Sequence, residues 1–150
     1  FLVQLKSCYI SGESVTADEQ LIPTRGRCCF RQYIPSKTGK YDLKIFWCRD
    51  SMTAYPLNGE VYLGRQSKTA TTSNSMRRIT NLVRRLIESW ISSGRTITTD
   101  NYFTSVELAE YLLNVKTTLV GTLRRNNKDI PVQLQPDRKR SEQSIINFLF

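Results

Sequence analysis

The sequence predicts an α/β fold in which a mixed sheet carries packed helices. Two observations predict it. Three stretches with β character come first, and helical periodicity then alternates with short β-branched stretches. A meander of three strands followed by βαβ crossovers gives a mixed sheet, because each crossover makes its two strands parallel. A chain of 150 residues is expected to form one domain.

The first three stretches predict strands of an antiparallel meander. SVTADEQLI at 14–22 has β character and is stopped by Pro23. YDLKIFWCRDS at 41–51 begins with an apolar/polar alternation and then becomes apolar on both faces, as a central strand does. YPLNGEVYLG at 55–64 predicts a third strand, in which Asn58–Gly59 is either a turn or a bulge.

Two helices and two further strands follow the polar, loop-like run at 67–75. RTITTD at 95–100 and TTLVGTLR at 117–124 predict the strands. The capping-box pattern of Thr104 and Glu107 predicts the start of the second helix. The first helix has Gly94 as its stop and an apolar face at three- and four-residue steps: Met76, Ile79, Val83, Leu86, Ile87, Trp90 and Ile91.

The predicted order, β-β-β-α-β-α-β, matches the ribonuclease H-like fold as far as its fifth strand. In this order the first and fourth strands are parallel neighbours, with Asp18 within the first and Asp100 at the end of the fourth. Ligand sites of open α/β sheets gather where the direction of travel across the sheet reverses. Two carboxylates there repel each other unless a cation lies between them, and a hard divalent cation suits oxygen ligands. Taken singly, each aspartate is more often a turn former or a helix N-cap, and Asn101 fits turn chemistry equally well.

Charge and residue usage narrow the chemistry. The net charge of +9 favours a polyanionic partner, with a merely basic surface as the alternative. The chain contains no histidine, which excludes Ser/His and Cys/His nucleophilic catalysis. No apolar run approaches the ~20 residues of a membrane span. The cysteines lack zinc-ligand spacing and the density of a disulfide scaffold, which predicts reduced thiols; they are Cys8, Cys28, Cys29 and Cys48.

Four stretches resemble the catalytic domain of piggyBac-type transposases. They are DEQLIPTRGRC at 18–28, QYIPSKTGKYDLKIFW at 32–47, TTDNYFTS at 98–105 and GTLRRNNKDIP at 121–131. They occur in the family's order and span nearly the whole chain. The resemblance implies a ribonuclease H-like domain that is truncated before its third catalytic element. Residues 1–130 would be its N-terminal part, and residues 131–150 would begin an insertion region.

The resemblance also implies a chemistry for the two aspartates. In the family, three aspartates hold two Mg²⁺ ions, and Asp18 of the DEQ motif and Asp100 of the TDN motif match the first two. Both are therefore expected to be catalytic residues and metal ligands, in a two-metal cleavage of phosphodiesters that needs no histidine. The implied partners are DNA, at transposon ends and at TTAA targets, and a second copy in the full-length protein. The implied location is the nucleus, with no membrane partner.

Basic residues near the predicted site are candidate DNA contacts. Arg25 and Arg27 flank Gly26 directly after the first strand, and Lys37, Lys40 and Lys44 follow. For each of them, a solvated basic turn is the alternative. Trp47 and Trp90 are expected in the core rather than as base-stacking platforms.

Two other functions remain open from the sequence. One is a domesticated or decayed transposase derivative that binds DNA without cutting it. The other is a small basic nucleic-acid-binding module that is unrelated to transposition, which the long motif match disfavours. A third aspartate further along the gene would support the enzyme over the binder.

Overall fold

The computed structural model describes residues 2–35, 40–64, 72–124 and 127–131. Three α-helices and six strands lie along these residues. In chain order they are α1 (Leu2–Cys8), β1 (Ser14–Pro23), β2 (Gln32–Tyr33), β3 (Tyr41–Asp50), β4 (Pro56–Val61), α2 (Thr72–Ile87) with a 3-10 turn after it (Glu88–Trp90), β5 (Thr96–Thr99), α3 (Val106–Asn114) and β6 (Thr118–Gly121).

The six strands form one mixed sheet with β1 at its centre. The order is β2-β3-β1-β5-β6, and β4 pairs with β3 as well. The pairs β1–β3, β2–β3 and β3–β4 are antiparallel, whereas β1–β5 and β5–β6 are parallel. The predicted α/β class and ribonuclease H-like strand order are therefore confirmed: an antiparallel meander leads into two parallel crossovers. Strand β2, only two residues long, was not predicted.

One face of the sheet is buried under α2 and α3. Because side chains alternate across a strand, every second residue of β1 and β3 points to this face. The opposite face carries neither α2 nor α3, and Asp18 lies on it. The core is formed by Val15, Ala17, Phe46, Cys48, Leu57, Leu82, Val83, Leu86, Ile87, Trp90, Ile97, Phe103, Leu108 and Leu112.

Helix α2 differs from its predicted bounds at both ends. It begins at Thr72, within the polar run for which the sequence predicts a loop. Its first turn carries no apolar residue, so no helical period is visible in that part of the sequence. It ends at Ile87, where a 3-10 turn continues the chain through Trp90. Gly94 has a φ of +73° and stands in the turn that follows, so it ends that turn and not the helix.

The predicted capping box of Thr104 and Glu107 is wrong. Ser105 is the N-cap of α3, and its hydroxyl accepts a hydrogen bond from the amide of Leu108 at 3.1 Å. The hydroxyl of Thr104 instead lies against the preceding turn, where it donates to the carbonyl of Asp100.

Strand β4 runs through Asn58–Gly59 without a turn. The pairing shifts between Cys48, which faces Asn58, and Arg49, which faces Pro56. Leu57 is thus the extra residue of a bulge next to the predicted position.

None of the four cysteines forms a disulfide, in agreement with the predicted reduced thiols. Among the residues that the structure describes, no helix has the length and apolar character needed to cross a bilayer.

Candidate carboxylate site and its basic surroundings

Asp18 and Asp100 occupy matching levels on two parallel neighbouring strands. The register pairs Ser14 with Thr96 and continues to Ala17 with Thr99; Asp18 is the next residue of β1, and Asp100 is the first residue after β5. Neighbouring strands lie about 4.8 Å apart, so residues at one level are side by side. Both aspartates are exposed. β1 continues to Pro23 while β5 ends at Thr99, so Asp18 lies within its strand at the point where the parallel pairing stops.

Backbone amides hold one oxygen of each carboxylate. Oδ1 of Asp18 accepts from the amide of Glu19 at 2.7 Å. Oδ1 of Asp100 accepts from the amides of Tyr102 at 2.9 Å and Phe103 at 3.3 Å. Asp100 therefore stabilises a turn, which is the alternative role that the sequence leaves open for it besides metal binding. The two roles are compatible, because a carboxylate has a second oxygen with its own lone pairs.

The two carboxylates fit a hard divalent cation. Mg²⁺ prefers oxygen ligands, keeps several of its waters and is bound in proteins through one or two carboxylates together with substrate phosphates. No group of three or more His, Cys, Asp or Glu side chains that could hold a metal occurs within the described ranges. A metal site here would therefore use Asp18 and Asp100 with waters and ligands from elsewhere, and the assignment of the metal stays a prediction.

Closely packed backbone supports the turn that carries Asp100. The hydroxyls of Thr99 and Thr104 lie 2.8 Å apart, and Thr104 also donates to the carbonyl of Asp100 at 2.6 Å. Gly121 of β6 lies against this pair: a Cβ at position 121 would come within 2.8 Å of both the carbonyl and the hydroxyl oxygen of Thr99. The end of β5 is thus fixed from the turn and from the neighbouring strand.

Trp47 is the cross-strand neighbour of Asp18 on the face that α2 and α3 leave uncovered. Its indole Nε1 donates to the side-chain oxygen of Gln20 at 2.9 Å, and Arg49 donates to the same oxygen at 2.6 Å. The indole also covers Gly59, where any Cβ would collide with the ring. Trp90 lies in the core as expected, whereas Trp47 is half-buried on this second face.

The five predicted DNA-contacting residues do not share one environment. Arg25, Arg27 and Lys40 are exposed at the end of the sheet beyond Pro23. Lys37 lies outside the described residues. Lys44 is on the helix-covered face, where its ammonium is 2.9 Å from Oε2 of Glu19.

The ammonium of Lys44 also lies 4.7 Å from the ring of Tyr102 and 5.0 Å from that of Phe46. These contacts give Lys44 a structural role, and its use as a phosphate contact stays a prediction.

An exposed aromatic pair lies in the same region and was not predicted from the sequence. Tyr33 of β2 and Tyr41 of β3 face each other across the antiparallel pairing, with ring centroids 5.1 Å apart. The guanidinium of Arg31 lies 4.4 Å from the ring of Tyr41. A signal was present, since a Pro- and Gly-containing segment between two tyrosines favours a hairpin that sets them opposite each other.

Comparison with known proteins places this geometry in a family. The model of the family described as Transposase IS4 matches residues 2–147. The structure of a piggyBac transposase synaptic complex with hairpin DNA is similar with a TM-score of 0.81 and 42% identity. That match covers 94% of this chain and 29% of the other, so this chain spans less than a third of the length of that transposase.

A simian T-cell lymphotropic virus intasome in complex with the PP2A regulatory subunit B56 gamma is similar at a TM-score of 0.38 and 14% identity, over 78% of this chain and 34% of the other. So weak a likeness carries no functional weight. The family match over nearly the whole chain and the identity to the piggyBac structure agree with the motifs around Asp18 and Asp100. The chain belongs to the Transposase IS4 family, as a transposase domain of the piggyBac type.

Proposed function

We propose that this chain supplies two of the carboxylates with which a piggyBac-type transposase binds divalent metal and cleaves DNA. The supporting observation is the position of the two aspartates in the sheet. Asp18 and Asp100 directly follow Ala17 and Thr99, the last register pair of two parallel neighbouring strands, and both aspartates are exposed. Two acidic side chains side by side on a chain of net charge +9 suit a metal-bridged phosphate better than a merely structural surface.

The chain's own residues have separable tasks in this proposal. Asp18 and Asp100 hold and orient the metal, each with one oxygen kept in place by backbone amides. Mg²⁺, when bound, activates water and neutralises charge on the phosphate and on the leaving oxygen. The exposed side chains of Arg25, Arg27 and Lys40 hold neighbouring phosphates and guide the DNA.

The wider activity follows from the family. We propose that the full-length protein cuts at transposon ends, joins them to TTAA target sites, acts as a homodimer and works in the nucleus, where its DNA substrate is. The similar structure is a synaptic complex with hairpin DNA, which supports DNA as the partner of this chain too. Residues 131–150 would begin the insertion region of the catalytic domain.

The metal site is tested by titrating the 150-residue chain with Mn²⁺ and measuring the free ion by electron paramagnetic resonance. The unmodified chain should remove Mn²⁺ from solution, and Asp18→Asn and Asp100→Asn should each weaken binding about tenfold or more, because each variant removes one of two charged ligands. Asp129→Asn is the matched control, since Asp129 is exposed and lies beyond β6. Equal Mn²⁺ affinity in all four proteins would contradict the proposal.

DNA binding without cleavage is the second candidate, and the same basic surface favours it. A fluorescence-anisotropy titration with duplex DNA from 50 to 200 mM salt, a range of about fourfold, should show affinity that falls steeply. Strong DNA binding combined with no Mn²⁺ binding would select the binder over the enzyme.

A further inference from the structure

An exposed aromatic cluster marks the end of the sheet at β2 and β3. The side chain of Tyr33 is 58% exposed and that of Tyr41 is 45% exposed. Their rings are 5.1 Å apart with a tilt of 46°. Single exposed aromatic residues are common, but adjacent ones form a patch of the kind that marks an interaction site.

The cluster is held rigidly by the backbone around it. Tyr33 and Tyr41 are paired residues of β2 and β3, and the amide of Ile34 donates to the carbonyl of Lys40 at 2.8 Å. The guanidinium of Arg31 packs 4.4 Å from the ring of Tyr41. A rigid aromatic surface loses little conformational entropy when a flat ligand stacks on it.

Arginines lie beside the cluster and in the turn attached to it. Arg31 donates to the carbonyl of Gly26 at 3.2 Å, which ties the turn carrying Arg25 and Arg27 to the aromatic pair. The amide of Thr24 donates to the carbonyl of Tyr41 at 3.1 Å, which fixes the other end of that turn. Aromatic rings among exposed arginines are the features that single-stranded nucleic acid recognises: bases stack on the rings and the backbone follows the charge.

The cluster lies on the same sheet face as Asp18. Tyr41 and Trp47 are six residues apart on β3 and therefore point to one face, and Trp47 is the cross-strand neighbour of Asp18. Six strand residues span roughly 20 Å, which corresponds to about six nucleotide steps of a DNA strand. One DNA molecule can thus reach both sites.

We propose that Tyr33 and Tyr41 form a stacking platform for an unpaired base of DNA bound to this chain. The inference rests on the proposed function, because it requires that the chain binds DNA. It adds a feature that charge alone does not supply: a preference for single-stranded or distorted DNA over a perfect duplex. Arg31 keeps the ring of Tyr41 in place, and Arg25 and Arg27 meet the phosphates on either side of the stacked base.

The experiment compares an unpaired oligonucleotide with its perfect duplex. Anisotropy titrations of the 150-residue chain against both should show that Tyr33→Leu and Tyr41→Leu weaken single-strand binding about tenfold, while duplex binding changes by less than about twofold. Tyr33→Phe keeps the ring and should bind as the unmodified chain does. Tyr111→Leu is the matched control, since Tyr111 also lies beneath an arginine, Arg84, but belongs to α3.

A direct readout comes from one 2-aminopurine in the oligonucleotide, whose fluorescence falls when it stacks on a ring. Binding of the unmodified chain should quench it, and Tyr33→Leu should restore it at saturating protein. Urea unfolding of each variant confirms that the fold is retained.

Three results would overturn the inference. Unchanged single-strand affinity in both leucine variants would exclude stacking. Equal losses of affinity for single strand and duplex would show that the tyrosines contact the DNA backbone and not an unpaired base. A dimer of the DNA-free chain that Tyr33→Leu dissociates, seen by analytical ultracentrifugation, would assign the patch to a second copy. The proposed function itself fails if the unmodified chain shows no salt-dependent binding to either the single strand or the duplex. That result differs from a loss of binding that is confined to the tyrosine variants.

Discussion

The hydroxyl of Thr104 donates to the carbonyl of Asp100 at 2.6 Å, so a residue four positions downstream fixes the turn that carries the aspartate. The carboxylate of Asp100 binds the amide of Tyr102 in the same turn. Two independent side-chain hydrogen bonds therefore stabilise the turn, one made by Asp100 and one made by Thr104. This explains the TDNYFT part of the motif physically: Asp100 and Thr104 both stabilise the turn that carries the carboxylate.

We expect Thr104→Val to destabilise the chain by about 1–2 kcal/mol, because the side chains have the same shape and only the hydroxyl is lost. The hydroxyl of Thr99, which is nearly buried, then loses its partner at 2.8 Å. The measurement is the free energy of unfolding in urea. Thr104→Ser keeps the hydroxyl and is the control; a serine variant as unstable as the valine variant would assign the effect to the methyl group.

Gly121→Ala should cost about 1–3 kcal/mol of unfolding free energy, because the new Cβ meets the backbone oxygen of Thr99, which cannot move without disturbing β5. Gly26→Ala is the control, since the nearest atom to a Cβ there is the side-chain oxygen of Thr24 at 3.8 Å. Thermal unfolding of the two variants checks this prediction. Equal melting temperatures would mean that β6 shifts away from β5 at little cost.

Asp50 is expected to make the fold sensitive to acid. Hydrogen bonds from the amide of Gly12 and then from Thr53 lower the pKa of this buried carboxyl from 3.8 to about 2. A folded-state pKa below the unfolded one adds stability above about pH 4, and that stability is lost as the pH falls toward 2. Unfolding free energies should therefore fall across this range in the unmodified chain.

The matched variant is Asp50→Asn. It places an NH₂ group where the carboxylate accepts hydrogen bonds, including the one from Gly12 at 2.7 Å, and should cost about 1–3 kcal/mol at neutral pH. Its stability should then vary less between pH 4 and 2 than that of the unmodified chain. A pH dependence of the same size in both proteins would show that other carboxyls cause the acid sensitivity.

The sequence predicted the strand order of the sheet and the parallel pairing of β1 with β5, because both depend on local patterns. Alternation of apolar and polar residues and a high content of β-branched residues predict strands β1, β3 and β5. The order of the connections then makes β1 and β5 parallel neighbours. The first helix α1 and strand β2 escaped prediction because seven and two residues are too few to show a period. Their positions depend on long-range contacts, such as the hydroxyl of Tyr55 donating to the carbonyl of Leu5 at 3.4 Å.

Contacts between side chains were harder to predict than backbone positions. Thr104 and Ser105 both qualify as an N-cap, and the turn at Asp100 decides between them. The sequence makes Lys44 a candidate DNA contact, yet alternation along β3 places it on the face of Glu19, its diagonal neighbour on β1. Which charges are paired is therefore a property of the register and cannot be obtained from net charge.

The 150-residue chain is expected to leave supercoiled plasmid DNA intact in the presence of Mg²⁺ or Mn²⁺. The resemblance to piggyBac-type transposases implies three aspartates around two metal ions. Asp18 and Asp100 would supply only two of the three, so the second ion would lack a full set of ligands. The measurement is plasmid nicking on an agarose gel. Nicking by the pure chain that disappears in Asp18→Ala would contradict the prediction, while nicking that persists in that variant would indicate a contaminating nuclease.

The last prediction separates the basic residues that meet DNA from those that support the fold. Arg25→Gln should lower the slope of log affinity against log salt by about 1, because one phosphate contact is lost. Lys44→Gln should leave the slope nearly unchanged, since the side chain of Lys44 is only 16% exposed and its ammonium is bound to Glu19. It should instead lower the unfolding free energy by up to about 1 kcal/mol, as expected for an ion pair close to the surface.

The double variant Glu19→Gln/Lys44→Gln is the control for Lys44, because it removes both charges of the pair and leaves no carboxylate without its partner. It should recover part of the stability that Lys44→Gln loses, with the same salt slope as the unmodified chain. If Lys44→Gln reduces the slope as much as Arg25→Gln does, the ammonium exchanges Glu19 for a phosphate when DNA binds. The DNA would then contact the helix-covered side of β3 as well as the end of the sheet at Arg25.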